Sequence, residues 1–324
     1  MATEIKNAAI IVSPRIGDVI FCTPAIHILK CNLNSGKIYA IALSEASAKV
    51  FENNPDVDSV YVCPDKKAIS EISGKIDFVV DFHNNKDTQK YVKSIKKPCY
   101  TSPRGIRGVH QSGTATNFVC DIFSDTPEKY DLTYRLFPLP SHTERVKNLL
   151  KARGATFDDS QILIGCHMGT YNFARRSLMF WKRKKLSKKA WPFENFAILG
   201  KMLFEYNRRI RLVLTGTKGE KKLVKYFAGH EQNIIDVIGE TSVLELRSIM
   251  EHVKAFVTPD TGPLHVASST AVPIIYLCCF ATNPVHTGPY PLKSWHNVIR
   301  KETMTNISPK EVFDAIVSSV FASK

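Results

Sequence analysis

Short apolar runs and longer amphipathic stretches alternate along this chain. Residues 8–12, 37–43 and 76–82 are apolar runs of strand length, and 57–62 alternates more weakly. Between them, 18–32, 45–53 and 85–95 carry apolar residues at helical spacing. Strands separated by helices with short connections predict a parallel sheet covered on both faces. At 136–141 the segment LFPLPS holds two closely spaced prolines, which suit neither a helix interior nor a central strand and predict a linker.

The pattern then restarts. A helix is predicted over 143–151, strands over 161–166, 211–215, 255–258 and 272–277, and helices over 193–206, 218–228 and 242–252. A last helix, 308–322, has Ser308 as N-cap and Pro309 at its first position. No short repeat is visible. The prediction is two similar α/β domains, 1–140 and 141–324, with a cleft between them. Open parallel sheets bind ligands at the carboxyl ends of their strands, so the loops after strands are where chemistry is expected.

Composition narrows the partners. The 324 residues are 44% hydrophobic, too apolar for disorder and enough for two domains. Lys and Arg outnumber Asp and Glu by 44 to 30, and the net charge of +14 points to an anionic partner. The longest near-apolar stretch, 271–281, contains a proline and is too short to span a bilayer, and the N-terminus lacks the pattern of a secretory signal. The 8 cysteines include no CxxC pair and lie mostly among apolar neighbours. They read as reduced thiols of a cytoplasmic protein, without a structural zinc or a disulfide framework.

Four loops after strands hold candidate chemistry. In Ser13-Pro14-Arg15-Ile16-Gly17-Asp18, Asp18 is either a helix N-cap or a carboxylate able to accept a proton from a bound hydroxyl. In Thr258 to His265, Gly262 and Pro263 suit a tight turn into a small-residue helix, 266–271, whose free N–H groups would attract an anion. There Asp260 or Thr261 could equally be a cap, and His265 a core residue. In Thr215 to Glu220, Glu220 is either a first-turn acid on a solvated loop or an acceptor for sugar hydroxyls. The fourth loop begins at Cys166-His167-Met168-Gly169-Thr170 and runs to Lys189-Ala190-Trp191-Pro192. Its 175–189 portion carries eight basic residues, no acid, and Leu178, Met179, Phe180 and Trp181, as a flap over an anionic ligand or against a membrane would.

Taken together, these segments resemble glycosyltransferase family 9, the family of the lipopolysaccharide heptosyltransferases. IIVSPRIGDVIFCTPAIHILK is similar to that family's Arg-x-Gly-Asp turn and Thr-Pro-Ala helix. DTGPLHVASSTAVPIIYLCCFATNPVHTGPY is similar to its Asp-Thr-Gly-x-x-His helix, Val-Pro strand and Pro-x-x-x-Gly-Pro-Tyr loop. Lys189-x-Trp191-Pro192 and Gly219-Glu220 follow in the family's order.

The resemblance implies a GT-B fold, two Rossmann-like domains with parallel sheets facing a central cleft, the first for acceptor and the second for nucleotide sugar. Helix 308–322 is expected to pack back on the first domain. It also implies metal-independent, inverting transfer of heptose from ADP-heptose to a hydroxyl of the lipopolysaccharide inner core, at the cytoplasmic face of the inner membrane and without a cofactor. Asp18 matches the family's aspartate and is expected to be the base. Lys189 matches its phosphate-binding lysine, with Lys188 or Arg183 as alternatives because the 170–189 connection is long. Thr170 and the N–H groups near Gly262 and Leu264 would complete the phosphate pocket, and Glu220 would bind the ribose. Asp260, Thr261 and His265 would meet the donor sugar and order the helix start. Arg104 and Arg107 would meet phosphates of an anionic lipid-linked oligosaccharide, or form an exposed basic loop. The Asp56-Val57-Asp58 pair lies away from the donor loops and reads as structural.

Two other readings share parts of this pattern. The same fold could use another nucleotide sugar or a different acceptor. Alternatively, the basic stretch with its aromatics could bind single-stranded nucleic acid, although the charge is local and no nucleic-acid motif accompanies it.

Overall fold

The computed structural model describes residues 6–103, 105–170 and 187–321. The chain divides into two compact units, Met1–Phe137 and Pro138–Lys324, each built on its own parallel sheet.

In the first unit the strands are β1 (Ala8–Val12), β2 (Ile38–Ala42), β3 (Ser59–Val62), β4 (Phe78–Asp81) and β5 (Cys99–Thr101), ordered β3-β2-β1-β4-β5. Every residue of β1, β2 and β4 is buried, which is why these strands read as unbroken apolar runs. The helices are α1 (Ile16–Asn32), α2 (Glu45–Ala48), α3 (Lys66–Ser73), α4 (Lys86–Ile95) and α5 (Gln111–Phe123). The helix expected over 45–53 is shorter and tightens into a 3-10 turn at Lys49–Phe51, ending where Asn53 takes a φ of 59°. Helix α1 tolerates Pro24 because the Thr23 hydroxyl donates to the Ile20 carbonyl, 2.8 Å away, which the proline cannot serve.

The second unit holds β6 (Ile162–His167), β7 (Ile210–Thr215), β8 (Ile234–Asp236), β9 (Ala255–Pro259), β10 (Ile274–Cys279) and β11 (Asn297–Lys301), ordered β11-β10-β9-β6-β7-β8. Its helices are α6 (Pro140–Ala152), α7 (Phe193–Tyr206), α8 (Val243–Ile249), α9 (Gly262–Ser268), α10 (Pro284–Thr287) and α11 (Pro309–Phe321). Of the two linker prolines, the second is not linker at all. Pro140 is the first residue of α6, where its missing N–H costs nothing. The segment expected as a helix over 218–228 is a 3-10 helix, Lys218–Phe227, burying Glu220, Leu223 and Phe227.

The helix expected over 308–322 forms as α11, and its apolar face lies in the second unit's core. Val312 and Ile316 of α11 are wholly buried in the second unit's core with Trp191, Phe196 and Ile307. Tyr206 at the end of α7 meets Phe313 edge-on with ring centroids 5.5 Å apart. The link from β11 to α11 is short, so the helix returns onto the sheet it has just left.

In both sheets the strand order reverses at one place, between β1 and β4 in the first and between β6 and β9 in the second. Loops diverge at such switch points, leaving room for a ligand at the carboxyl edge. Asp18 follows β1, Thr170 follows β6 and Asp260 follows β9.

Candidate functional site

In the second unit, three adjacent strands, β9, β6 and β7, carry side by side the loops expected to meet the donor. After β7, Glu220 turns back over the start of its own 3-10 helix. Its Oε2 accepts from the Thr217 N–H at 2.7 Å and the Thr217 hydroxyl at 3.0 Å. The side chain is buried, so the solvated-loop alternative does not hold. Oε1 lies against the loop after β6, where a β-carbon on Gly169 would stand 1.7 Å from it. A β-carbon on Gly216 would stand 3.0 Å from Oε2. Two glycines thus open the space the carboxylate occupies, and neither was singled out in the sequence. Thr170 is buried just beyond Gly169. His167, also buried, lies near Glu220. Burial drives its imidazole pKa below the ordinary value, against the pull of the Glu220 charge.

After β9, Asp260 receives the Lys189 ammonium at 2.5 Å. Asp260 is almost enclosed while Lys189 is 45% exposed, so the lysine bridges a buried carboxylate and open solvent. The approach of Lys189 is fixed on both sides. The Cys279 thiol donates to the Lys188 carbonyl at 3.3 Å, and the buried Trp191 indole donates to the Ile307 carbonyl at 2.9 Å. Lys189, rather than Lys188, is therefore the cation placed at the β9 loop; Arg183, with 175–186 of the basic stretch, lies outside the described residues.

Thr261 is the N-cap of α9 by its backbone, without a side-chain cap bond, and Asp260 is not the cap. Helix α9 begins at Gly262, earlier than the expected 266–271. Of the two amides expected to meet phosphate, that of Leu264 already donates to the Thr261 carbonyl at 3.1 Å. Pro263 has no N–H, which leaves Gly262 as the first-turn amide suited to an anion. His265 and Leu264 are buried. Under the loop, Tyr276 is wholly enclosed. Burial, followed by the neighbouring Asp260 charge, pushes its phenol pKa up, so it stays a neutral hydroxyl.

In the first unit the N-cap of α1 is Arg15, again without a side-chain cap bond, and Asp18 sits in the first turn. The N-cap alternative for Asp18 is therefore removed. Its Oδ2 accepts from the buried Ser13 hydroxyl at 2.8 Å and lies 3.8 Å from the Arg15 guanidinium. The Ser13 oxygen in turn accepts the Arg15 N–H at 3.2 Å. The carboxylate is 38% exposed, positioned and still reachable. Arg107 is on the exposed loop after β5, between Gly105 and Gly108, both at positive φ; Arg104 lies outside the described residues.

Asp56-Val57-Asp58 is committed elsewhere. Asp56 accepts from Arg135 Nε at 2.9 Å and pairs with His27 Nδ1 at 3.0 Å. Asp58 accepts from Lys30 at 2.7 Å and from the Ile38 N–H at 2.8 Å. Burial pushes Asp58 up, but these two donors outweigh it and hold its carboxyl below the usual range. Among the described residues, no group of three or more His, Cys, Asp or Glu side chains is placed to hold a metal.

Two α/β units, each built on a parallel sheet with polar side chains at its switch point, are the architecture of a GT-B glycosyltransferase. The family model of glycosyltransferase family 9 (heptosyltransferase) matches residues 130–315, and the chain belongs to that family. Lipopolysaccharide core heptosyltransferase OpsX of Haemophilus influenzae is 26% identical over 120 residues, 37% of this chain and about a third (34%) of that protein's length. A glycosyltransferase family 9 protein of Veillonella parvula has the same fold at a TM-score of 0.81 and 20% identity, covering 100% of this chain and 99% of that one. ADP-heptose lps heptosyltransferase II of E. coli follows at a TM-score of 0.76 and 16% identity, covering 97% and 98%. Among the described residues, no helix is long and apolar enough to cross a membrane.

Proposed function

We propose that this chain transfers heptose from ADP-heptose to a hydroxyl of the lipopolysaccharide inner core, with inversion and without a metal. The observation that carries this reading is the Lys189–Asp260 pair beside Thr170 and Glu220, on three adjacent strands at the switch point of the family-matched unit.

As the glycosidic bond to the diphosphate breaks, negative charge grows on the leaving oxygen and positive charge on the anomeric carbon. Lys189, with Thr170 and the Gly262 amide, would neutralise the diphosphate in place of a metal. The ion pair with Asp260 keeps the ammonium aimed before the donor arrives, so little ordering remains when it binds. Glu220, with Oε2 already occupied by Thr217, would accept ribose hydroxyls through Oε1. Asp18, with Oδ2 held by Ser13, would take the acceptor proton on its other oxygen. The basic stretch leading to Lys189 would close on the donor and approach the anionic cytoplasmic leaflet.

The test is thermal unfolding of the chain with ADP, ADP-heptose and the UDP and GDP sugars, each in EDTA and again with Mg²⁺ or Fe²⁺. A ligand at about 100 times its Kd adds about 2.7 kcal/mol to stability. A shift with ADP and ADP-heptose, the same in EDTA as with metal, supports the reading. A shift only with another nucleotide moves the substrate, and a shift that needs a metal overturns the metal-free step.

A further inference from the structure

On the exposed side of α1, one turn apart, stand Cys31 and His27. The Cys31 Sγ is 3.7 Å from His27 Nε2, and the other ring nitrogen, Nδ1, is 3.0 Å from Asp56 Oδ1. A carboxylate only accepts, so Nδ1 must carry the proton. In the neutral ring, Nε2 then presents its lone pair to the thiol. Asp56 cannot turn away, because its second oxygen accepts from Arg135 Nε at 2.9 Å and the residue is buried. Nucleophile, base and orienting carboxylate therefore occur in sequence, the arrangement that activates a side-chain nucleophile. Asp131, Tyr130 and Arg135 are the other ionisable groups close enough to influence His27 and Cys31.

We infer that Cys31 is a reactive thiol, activated by His27 and Asp56, that takes S-thiolation from low-molecular-weight disulfides. The Cys31 proton passes to His27 Nε2 as Sγ attacks one sulfur of the disulfide. A new S–S bond forms, the old one breaks, and the leaving thiolate takes the proton from the imidazolium and departs as a thiol. Cys31 is oxidised and half of the small disulfide is reduced, so atoms and electrons balance. Charge develops on a departing sulfur rather than on an oxygen, so the step needs a proton donor and no oxyanion pocket. This is why a disulfide, and not an acyl group, is the substrate class the site fits.

The chain contains its own comparison. Cys63 is also exposed, and among the described residues no histidine bonds its sulfur. Burial and the Asp56 charge push the Cys31 thiol up, with Arg135 opposing. Standing thiolate alone would therefore leave Cys31 slow, and a general base is what quickens it.

The experiment is the initial rate of glutathionylation of the whole chain by glutathione disulfide between pH 6 and 9, read by mass spectrometry of the Cys31 and Cys63 peptides. Cys31 is expected to react about tenfold faster than Cys63 at pH 7.5. In His27→Gln its rate should fall to or below that of Cys63, with Cys63 unchanged as the control for an intact fold. A wild-type chain in which Cys31 reacts no faster than Cys63 overturns the inference without any variant. A Cys31 rate indifferent to His27→Gln overturns it equally.

Discussion

Glu220 Oε1 occupies the place where a side chain on Gly169 would begin, 1.7 Å from an ideal β-carbon. The two residues are 51 positions apart in the chain, yet strand pairing of β6 with β7 brings their loops into contact. Gly169→Ala must displace the carboxylate or the loop after β6. We expect a stability loss of about 1–3 kcal/mol and at least about tenfold weaker ADP binding, measured by chemical denaturation and calorimetric titration. Unchanged affinity would remove Glu220 from nucleotide binding.

Replacing Lys189 by Ala leaves Asp260 unpaired beneath the β9 loop. Asp260 is almost enclosed, so losing the ammonium leaves a buried carboxylate without its partner. The expected outcome is a lowered melting temperature and a drop in ADP affinity of about 10- to 100-fold. Lys188→Ala, whose backbone rather than side chain makes the Cys279 contact, should bind ADP normally.

Asp18→Ala is expected to lower turnover by about 10² to 10⁴ while donor affinity holds. Steady-state rates together with direct donor titration separate the two quantities. A loss of donor affinity with the rate preserved would assign Asp18 a positioning part only.

Arg135→Ala withdraws the guanidinium from buried Asp56 and leaves it the hydrogen bond from His27. The cost is expected near 3 kcal/mol, since a buried carboxylate loses its partner, and denaturant titration reads it. Because Asp56 belongs to this lattice and not to the donor loops, ADP affinity should be untouched.

The second unit should lose stability as pH falls from about 6.5 towards 4. Burial depresses His296 from 6.5 to about 4, with Lys293 adding to the effect, and burial lowers His167 and His252 as well. His296 Nδ1 accepts the Ile274 N–H at 3.3 Å, which a protonated nitrogen cannot do. The unfolded chain therefore binds protons that the folded one refuses, and stability rises with pH across that window. Denaturation midpoints at pH 4.5, 5.5 and 6.5 test the sign, and His296→Gln should flatten the slope.

The central strands were readable because burial on both faces leaves little but apolar residues in β1, β2 and β4. Helix α5 was not. Its buried side consists largely of Ser112, Thr114, Ala115 and Thr116, small or hydroxyl-bearing residues that let it lie close to α1 but leave a weak apolar stripe. The position of Asp18 was legible, but its partner Ser13 was not, since an N-cap and a first-turn carboxylate look alike in sequence. The pairing of Lys189 with Asp260 spans 71 positions and exists only through the sheet. The burial of Glu220 depended on two glycines whose importance lies in the side chain they make room for.

One bond in the second unit reaches across the fold in a way that bears on engineering. The Trp191 indole hangs from the Ile307 carbonyl, two residues before α11 begins. The lysine at the β9 loop is therefore moored to the chain's last helix. A tag, fusion or truncation that disturbs α11 is expected to act on nucleotide affinity at a distance, through a tryptophan wholly buried in the core.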